Sequence, residues 1–432
     1  MAVGRENGVH ANGGHNGVGE DHIRYVPLSY DSANSDDSAR RLVFAIRPDW
    51  QGPDSKVEFV RFTDGITNTL LKAVNKRPGL SKDEVDKEAI LLRAYGHGTD
   101  LIIDRHRETQ NHELLMKHGL APELLARFEN GMMYRFIQGA VTQPEDLRKP
   151  DIYKAVARRL AQWHALVPCI AGRTGHSRKT SRADGSPAPA AADEFQRALD
   201  GVAPGKPPPN LWTVMQKWIF ALPTDTEPQR ARQAELQHEL QRLVAELSQR
   251  PGLGANGLVF AHCDLLSGNV IVLPRPTDKA ADPTVAFIDY EYATPSPAAF
   301  DIANHFAEWG GFDCDFSVLP TRAQRREFIA EYIDAYFGFL EAKTPGAAGQ
   351  VDKPAEVERL LGEVDLYRGV PGFYWGIWAL IQATISEINF DYASYAETRL
   401  GEYYAWRAEA SGEREKSGKE MPLRERRWAQ AE

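Results

Sequence analysis

The stretch 260-FAHCDLLSGNVIVL-273 sets a histidine, an aspartate two residues on and an asparagine five beyond that between two apolar runs. Asp and Asn mark turns throughout proteins, so His262-x-Asp264-x4-Asn269 is either a turn or a reactive loop. These residue types suit one chemistry in particular. Phosphoryl transfer from ATP needs a group that orients the attacking hydroxyl and accepts its proton. It also needs oxygen ligands that hold Mg²⁺ across the phosphates. Asp264 can serve the hydroxyl and Asn269 the metal. A second metal carboxylate should come from a following strand end, and 287-FIDYEY-292 offers Asp289 there. With an apolar strand and Ile-Asp following the loop, two unrelated turns become the poorer explanation.

A second group stands near the C-terminus. Trp375 and Trp378 lie three apart, so on a helix both rings line one wall. Phe390, Tyr392 and Tyr395 follow just past that segment. Aromatic faces attract cations, although periodicity alone suits an ordinary core helix here. The stretch 369-GVPGFYWGIWALIQATI-385 carries no charge over seventeen residues. A spanning helix needs about 20 predominantly apolar residues. This one opens with Pro371-Gly372, contains Gln382 and is followed by Glu387, so a buried helix is expected.

Composition narrows the partners. A net charge of −9 argues against nucleic acid, which needs a basic face. Cys169, Cys263 and Cys314 are too scattered for a disulfide framework or a zinc site, which suits a reducing, cytoplasmic setting. The N-terminus has no apolar core and is no secretory signal. Small molecules are the expected partners, with no transmembrane segment and with a homodimer left open.

The elements that must hold these groups fall into two halves. Residues 1–40 are rich in Gly, Asn, Asp and Ser and are expected to be a disordered tail. Residues 41–139 read as a small sheet with one helix. 57-VEFVRF-62, 69-TLLKAV-74, 88-EAILLRAYG-96 and 132-MMYRFIQG-139 are its strands, and 104-DRHRETQNHELLMKHG-119 its helix. Residues 140–432 read as mostly helical, with Ile152, Val156, Leu160, Trp163 and Leu166 at helical spacing. A flexible insertion is expected at 171–209, where Pro, Ala and Gly accumulate. The apolar runs 257–262 and 285–290 suggest a strand pair at the junction. The expected class is α+β and bilobal, with the ligand in the cleft between lobes.

Five segments together resemble the choline/ethanolamine kinase family, a branch of the protein-kinase-like fold that includes aminoglycoside phosphotransferases. They are 65-GITNTLLKA-73, 89-AILLRAYGHGTDLIIDRHRE-108, 262-HCDLLSGNVIVL-273, 287-FIDYEYATPSPAAFDIANHFAEW-309 and 373-FYWGIWALIQATISEINFDYASYA-396. The resemblance implies Asp264 as catalytic base, His262 as its loop histidine, and Asn269 and Asp289 as Mg²⁺ ligands. Cys263 departs from the Asn common in relatives and reads as a small buried thiol. The turn 64-DGITN-68 resembles the loop over the ATP phosphates, which brings in Gly65, Thr67 and Asn68. Arg93 takes the place of the phosphate-binding strand cation, with Glu108 as ion-pair partner. 134-YRFIQG-139 resembles the connection that meets the adenine edge, and Arg135 within it is assigned to the nucleotide side.

For the acceptor, the resemblance implies an aromatic box from Trp375, Trp378, Phe390, Tyr392 and Tyr395 around an ammonium group, faced by Glu308. Asp301 is expected to cap a helix starting at Ile302 and to brace the loop. A primary ammonium wants hydrogen-bond acceptors, whereas trimethylammonium wants a wide apolar box. Leu265-Leu266, the 310-GGFDCD-315 loop with Asp313, and 209-PNLWTVMQKWIFALP-223 lean toward ethanolamine as substrate. The expected activity is ATP- and Mg²⁺-dependent phosphorylation of ethanolamine, the first step of the CDP-ethanolamine route to phosphatidylethanolamine. The rivals are a choline or dual kinase, an aminoglycoside-type phosphotransferase, and a binding module without catalysis.

Overall fold

The structure is a computed structural model and describes residues 23–62, 68–96, 102–169, 190–275, 282–386 and 388–432. Gly65 and Thr67, assigned above to the nucleotide loop, lie outside the described residues.

The front half is a six-stranded sheet built from β1 (Tyr25–Val26), β2 (Lys56–Phe62), β3 (Asn68–Lys76), β4 (Ile90–Tyr95), β5 (Leu124–Phe128) and β6 (Gly131–Arg135). The spatial order is β1-β5-β6-β4-β3-β2, and every neighbouring pair is antiparallel except β1 on β5. Gly131 is required where β5 turns into β6. A Cβ there would lie 2.1 Å from the Arg93 carbonyl and 2.3 Å from the Phe128 ring.

Three helices accompany this sheet: α1 (Ser35–Ile46), α2 (Lys82–Glu88) and α3 (Arg105–Lys117). The expected tail to residue 40 fails from residue 23 onward. Val26, Tyr30, Ala39, Leu42 and Val43 are buried in one cluster with Leu71, Ala73, Ile90 and Leu92 from the sheet. The polar composition of the first thirty-odd residues hid α1, whose apolar positions come late in SDDSARRLVFAI, after an acidic first turn. β1 and β5 were missed as well.

Five short strands follow: β7 (Ala140–Val141), β8 (Val259–Ala261), β9 (Val270–Val272), β10 (Val285–Phe287) and β11 (Thr294–Ser296). The expected strand pair at the junction does not form. β10 pairs with β9, which also takes β7, while β8 pairs with β11. The loop 262–269 therefore leaves one two-stranded ribbon and enters another sheet, with Asp289 just past β10 beside its far end.

The rest is helical: α4 (Pro150–Leu166), α5 (Ala190–Val202), α6 (Leu211–Phe220), α7 (Glu227–Leu247), α8 (Ala298–Ala307), α9 (Arg322–Lys343), α10 (Lys353–Tyr367), α11 (Val370–Ile385), α12 (Tyr392–Ala410), α13 (Glu413–Lys416) and α14 (Leu423–Ala429). The backbone of α5 is helical within the stretch expected to be a flexible insertion, whose first part lies outside the described residues. Apart from a few residues near its C-terminus, α11 is buried, and among the described residues no helix is long and apolar enough to cross a membrane. Gly372 and Gly376 let α12 approach α11 closely. A Cβ on Gly372 would meet the Arg399 carbonyl at 2.5 Å, and one on Gly376 the Leu400 side chain at 2.6 Å. That close packing sets α12 directly against the helix bearing the two tryptophans.

Candidate active site

The loop 262–269 is held from one helix face. Asp301, Asn304 and His305 stand at i, i+3 and i+4 on α8, so all three side chains point one way. Asp301 accepts hydrogen bonds from the backbone N–H groups of His262 (2.9 Å) and Cys263 (2.8 Å). Asn304 donates to the Cys263 carbonyl at 3.0 Å, and His305 Nδ1 donates to the Leu265 carbonyl at 2.8 Å. Asp301 sits inside α8, which begins at Ala298, so it braces the loop but caps nothing. Cys263, buried against Ser296, has φ of +63°, and Asp289 has φ of +64°. Such left-handed backbone costs roughly 1–2 kcal/mol for an ordinary residue and persists where surrounding bonds over-determine it.

His262 is fully buried and does not reach the cleft. Its Nε2–H donates to the Ile288 carbonyl at 3.0 Å, and its Nδ1 accepts from the Asp264 N–H at 3.3 Å. Burial, only partly offset by Asp301, lowers its pKa to about 4, so the ring is neutral and can play both parts. His262 thus does not stand with Asp264 among the groups facing the cleft, and acts through hydrogen bonds within the loop. It links the Asp264 N–H to the Ile288 carbonyl, next to Asp289.

Replacing Asp301 by Ala should remove about 3 kcal/mol of stability, since two buried N–H groups and His164 (3.0 Å) lose a charged acceptor. Urea unfolding measures it. Burial alone would raise the Asp301 pKa, but hydrogen bonds from His164 and His262 hold it below the usual carboxylate range. Its stabilisation is therefore complete above roughly pH 4 and is lost as pH falls through that lowered value.

Asp264 and Asn269 meet at the loop's two ends. Asn269 Nδ2 donates to the Asp264 carbonyl at 2.7 Å and to its carboxylate at 3.1 Å. Both line a cleft of about 700 Å³, together with Asp289, Glu291, Arg93 and Asn68. Burial first, then the charges of Asp289, Glu308 and Glu291, push the Asp264 carboxyl well above its ordinary range. The cleft is thus short of positive charge near Asp264, where a cation would restore the carboxylate.

On the sheet side Arg93 is the hub. It is buried and pairs with Asp289 (2.8 Å), Glu108 (3.2 Å) and, more closely still, Glu291. Arg105 joins from α3, 3.0 Å from Glu108 and 3.2 Å from Glu291. Asn68 donates to Glu291 at 3.1 Å. The Arg93–Glu108 pair is therefore a buried link between β4 and α3, with Arg93 also lining the cleft. Arg135 lies elsewhere. It pairs with Glu123 at 3.1 Å and with the Glu88 carbonyl at 3.3 Å, while its neighbours Tyr134 and Phe136 line the cleft. Successive side chains of an extended segment point to opposite faces, so Arg135 faces away and its nucleotide assignment is corrected.

Beyond Asp264 the wall turns aromatic. The Trp375 and Trp378 rings meet edge-on with centroids 5.5 Å apart. Trp375 Nε1 donates to Asn304 at 2.8 Å, and Trp378 Nε1 donates to the Tyr292 hydroxyl at 2.8 Å. Those bonds tie the pocket to α8 and to the segment after Asp289. Tyr395, Tyr292 and Phe312 complete the aromatic lining. Tyr392 packs behind Trp378 (5.8 Å) and Phe390 is 41% exposed, so neither lines the pocket. Glu308 does line it, and its carboxylate pairs with Arg399 at 3.2 Å.

The geometry has matching relatives. Residues 59–404 match the choline/ethanolamine kinase family. The chain belongs to the choline/ethanolamine kinase family. It is 31% identical over 390 residues to mouse ethanolamine kinase 2, covering 89% of this chain and 86% of that one. A probable ethanolamine kinase of Arabidopsis thaliana is 32% identical over 360 residues, covering 81% and 79%. Among solved structures, Plasmodium vivax ethanolamine kinase superposes with a TM-score of 0.63 at 24% identity, over 86% of this chain and 88% of that one. Cryptosporidium parvum choline kinase gives 0.55 at 20%, over 87% and 97%. At those identities the superpositions establish the fold.

Within this kinase, Asp264, Asn269, Asp289, Arg93, Asn68, Glu308, Trp375, Trp378 and Tyr395 come together in one cleft. Asn304, His305, Glu291, Tyr292, Arg105 and Arg399 escaped sequence reasoning. Glu291 carried a signal, since it alternates with Asp289 in FIDYEY. Asn304 and His305 did too, as polar residues at helical spacing from Asp301. The loop at 310–315 turns out differently from the expectation. Gly311 leaves room at the cleft wall, but Phe312 fills part of it and Asp313 is exposed away from the lining.

Proposed function

We propose that this kinase transfers the γ-phosphoryl group of ATP to the hydroxyl of ethanolamine. One observation carries this above all. Asp264 stands in a single cleft between a basic and acidic cluster on the sheet side and an aromatic pocket holding a carboxylate. The aromatic edge and the Glu308 carboxylate suit an ammonium group, whose hydroxyl, two carbons away, would then point toward Asp264. Asp264 orients that hydroxyl and accepts its proton as the oxygen attacks phosphorus in line. The ammonium itself offsets the acidic surroundings that raise the Asp264 pKa.

Arg93 and Asn68 suit the nucleotide's phosphates, and Tyr134 and Phe136 its base. Asn269 and Asp289 would hold Mg²⁺. An amide oxygen and a carboxylate are the hard donors that ion prefers, with one or two carboxylates plus phosphates a usual set. The carboxylates crowded around Asp264 fit a divalent cation electrostatically. When bound, Mg²⁺ supplies charge stabilisation to the phosphates. Three free cysteines without a disulfide among the described residues fit a cytoplasmic enzyme.

Ethanolamine is favoured over choline because Glu308 can accept N–H bonds that trimethylammonium cannot give, and the Leu265-Leu266 pair after Asp264 resembles ethanolamine kinases. Trp375→Ala tests the ammonium pocket. Its KM for ethanolamine should rise about five- to thirtyfold, from loss of roughly 1–2 kcal/mol of cation–π attraction. The KM for ATP should stay put. An unchanged KM for the amine would remove the pocket from the account.

A further inference from the structure

Glu308 does not reach the pocket alone. The Arg399 guanidinium is buried beneath it on α12 and touches two pocket walls at once, Glu308 through Nη2 at 3.2 Å and the Tyr395 hydroxyl through Nη1 at 3.4 Å. On its other side Nε lies 3.5 Å from Glu402, an ionic contact longer than a hydrogen bond. Glu402 in turn lies 3.5 Å from Arg424, which is 3.0 Å from Glu425 on α14, and Glu425 pairs with Arg368 at 2.9 Å. All these groups but Arg368 are buried. The C-terminal segment is fastened from its own side, through Trp428 Nε1 on Asp365 at 2.7 Å and Gln430 O accepting from Arg322 N at 2.9 Å. A buried chain of alternating charge thus runs from the pocket to the C-terminal helix.

A buried carboxylate this close to another acid would ordinarily take up a proton. Burial raises the Glu308 pKa, Arg399 opposes that, and Glu402 adds to it. Long side chains buried without ion pairing are rare, and breaking one partner from such a pair leaves a costly orphan. Arg399 is the group that favours the charged form of Glu308 and fixes its place.

We propose that Arg399 is the positioning residue of the ammonium pocket, holding the Glu308 carboxylate beside Tyr395, and that Glu402 and Arg424 anchor it to the C-terminal helix. This rests on the assignment of the cleft to an amino-alcohol substrate. Arg399 does not line the cleft itself. It decides whether Glu308 offers a fixed negative charge to the incoming ammonium.

The test is steady-state kinetics on the full-length protein, with ethanolamine and ATP varied separately. Transfer by the wild type comes first, because its absence would overturn the substrate assignment and not this proposal alone. In an active preparation, Arg399→Met should raise KM for ethanolamine about tenfold or more while KM for ATP stays within about twofold. Arg399→Lys, which keeps the charge, should recover most of that loss. Arg424→Met, farther along the chain and away from substrate, should give the same split at about three- to fivefold. If Arg399→Met does not fold, the Lys and Arg424 variants decide. An unchanged ethanolamine KM in the folded Met variant overturns the proposal, as does an ATP KM rising in parallel. Lys failing to rescue, or, where the Met variant is lost, both remaining variants matching wild type, overturns it equally.

Discussion

Replacing Asp264 by Asn is expected to lower kcat by about 10²–10⁴-fold, the range lost with a general base, while KM for ethanolamine moves by less than about threefold. The isosteric amide keeps an oxygen for Asn269 Nδ2, and the stronger bond from Asn269 runs to the Asp264 backbone carbonyl, which the substitution leaves alone. Loop shape is therefore preserved while the proton acceptor is removed. Stability should be unchanged or higher. Asp264 is buried among Asp289, Glu291 and Glu308, all of which oppose its charge, so a neutral side chain relieves repulsion. Kinetics combined with urea unfolding checks both halves. A variant that loses activity only because it unfolds would contradict this account of the loop.

Arg93→Met should act in the opposite sense on stability. Three carboxylates, Asp289, Glu291 and Glu108, converge on this one guanidinium. Removing one partner of a buried ionic group typically costs about 3–5 kcal/mol, because the charges left behind are neither solvated nor paired. Arg105 softens the loss for Glu108 and Glu291, its partners at 3.0 and 3.2 Å. The urea midpoint should fall accordingly, and KM for ATP should rise if Arg93, which lines the cleft, meets the phosphates as proposed. Arg93→Lys should lie between the two, because an ammonium cannot serve three carboxylates in the fixed planar fork that Arg provides.

How much of this was legible in the sequence follows from where each constraint lives. That Asp264, Asn269 and Asp289 would meet in one cleft was readable because phosphoryl-transfer chemistry calls for those residue types at short spacings on one loop and one strand end. Trp375 and Trp378 were readable because helix geometry puts i and i+3 on one face. Phe390 and Tyr392 were placed in the same box by the family resemblance. Orientation decided otherwise, with Phe390 turned outward and Tyr392 behind Trp378. Arg135 could have been rejected from sequence, since Tyr134 and Phe136 on one face force it to the other. Asn304 and Arg399 act across 41 and 91 residues of chain, and no local pattern announces a partner at that distance. The helix Ser35–Ile46 was lost for another reason. Its buried face is Ala39, Leu42 and Val43, three residues at the end of a polar window whose composition spoke louder than its period.

The central claim is tested most directly by measuring phosphoryl transfer from Mg·ATP to ethanolamine and to choline side by side, as kcat/KM for each. The account predicts phosphoethanolamine as product and a clear preference for ethanolamine, since the pocket carboxylate meets N–H donors only on the primary amine. Preference for choline would keep the catalytic loop and overturn the role given to Glu308. Transfer to neither amine would contradict the assignment of the aromatic pocket altogether.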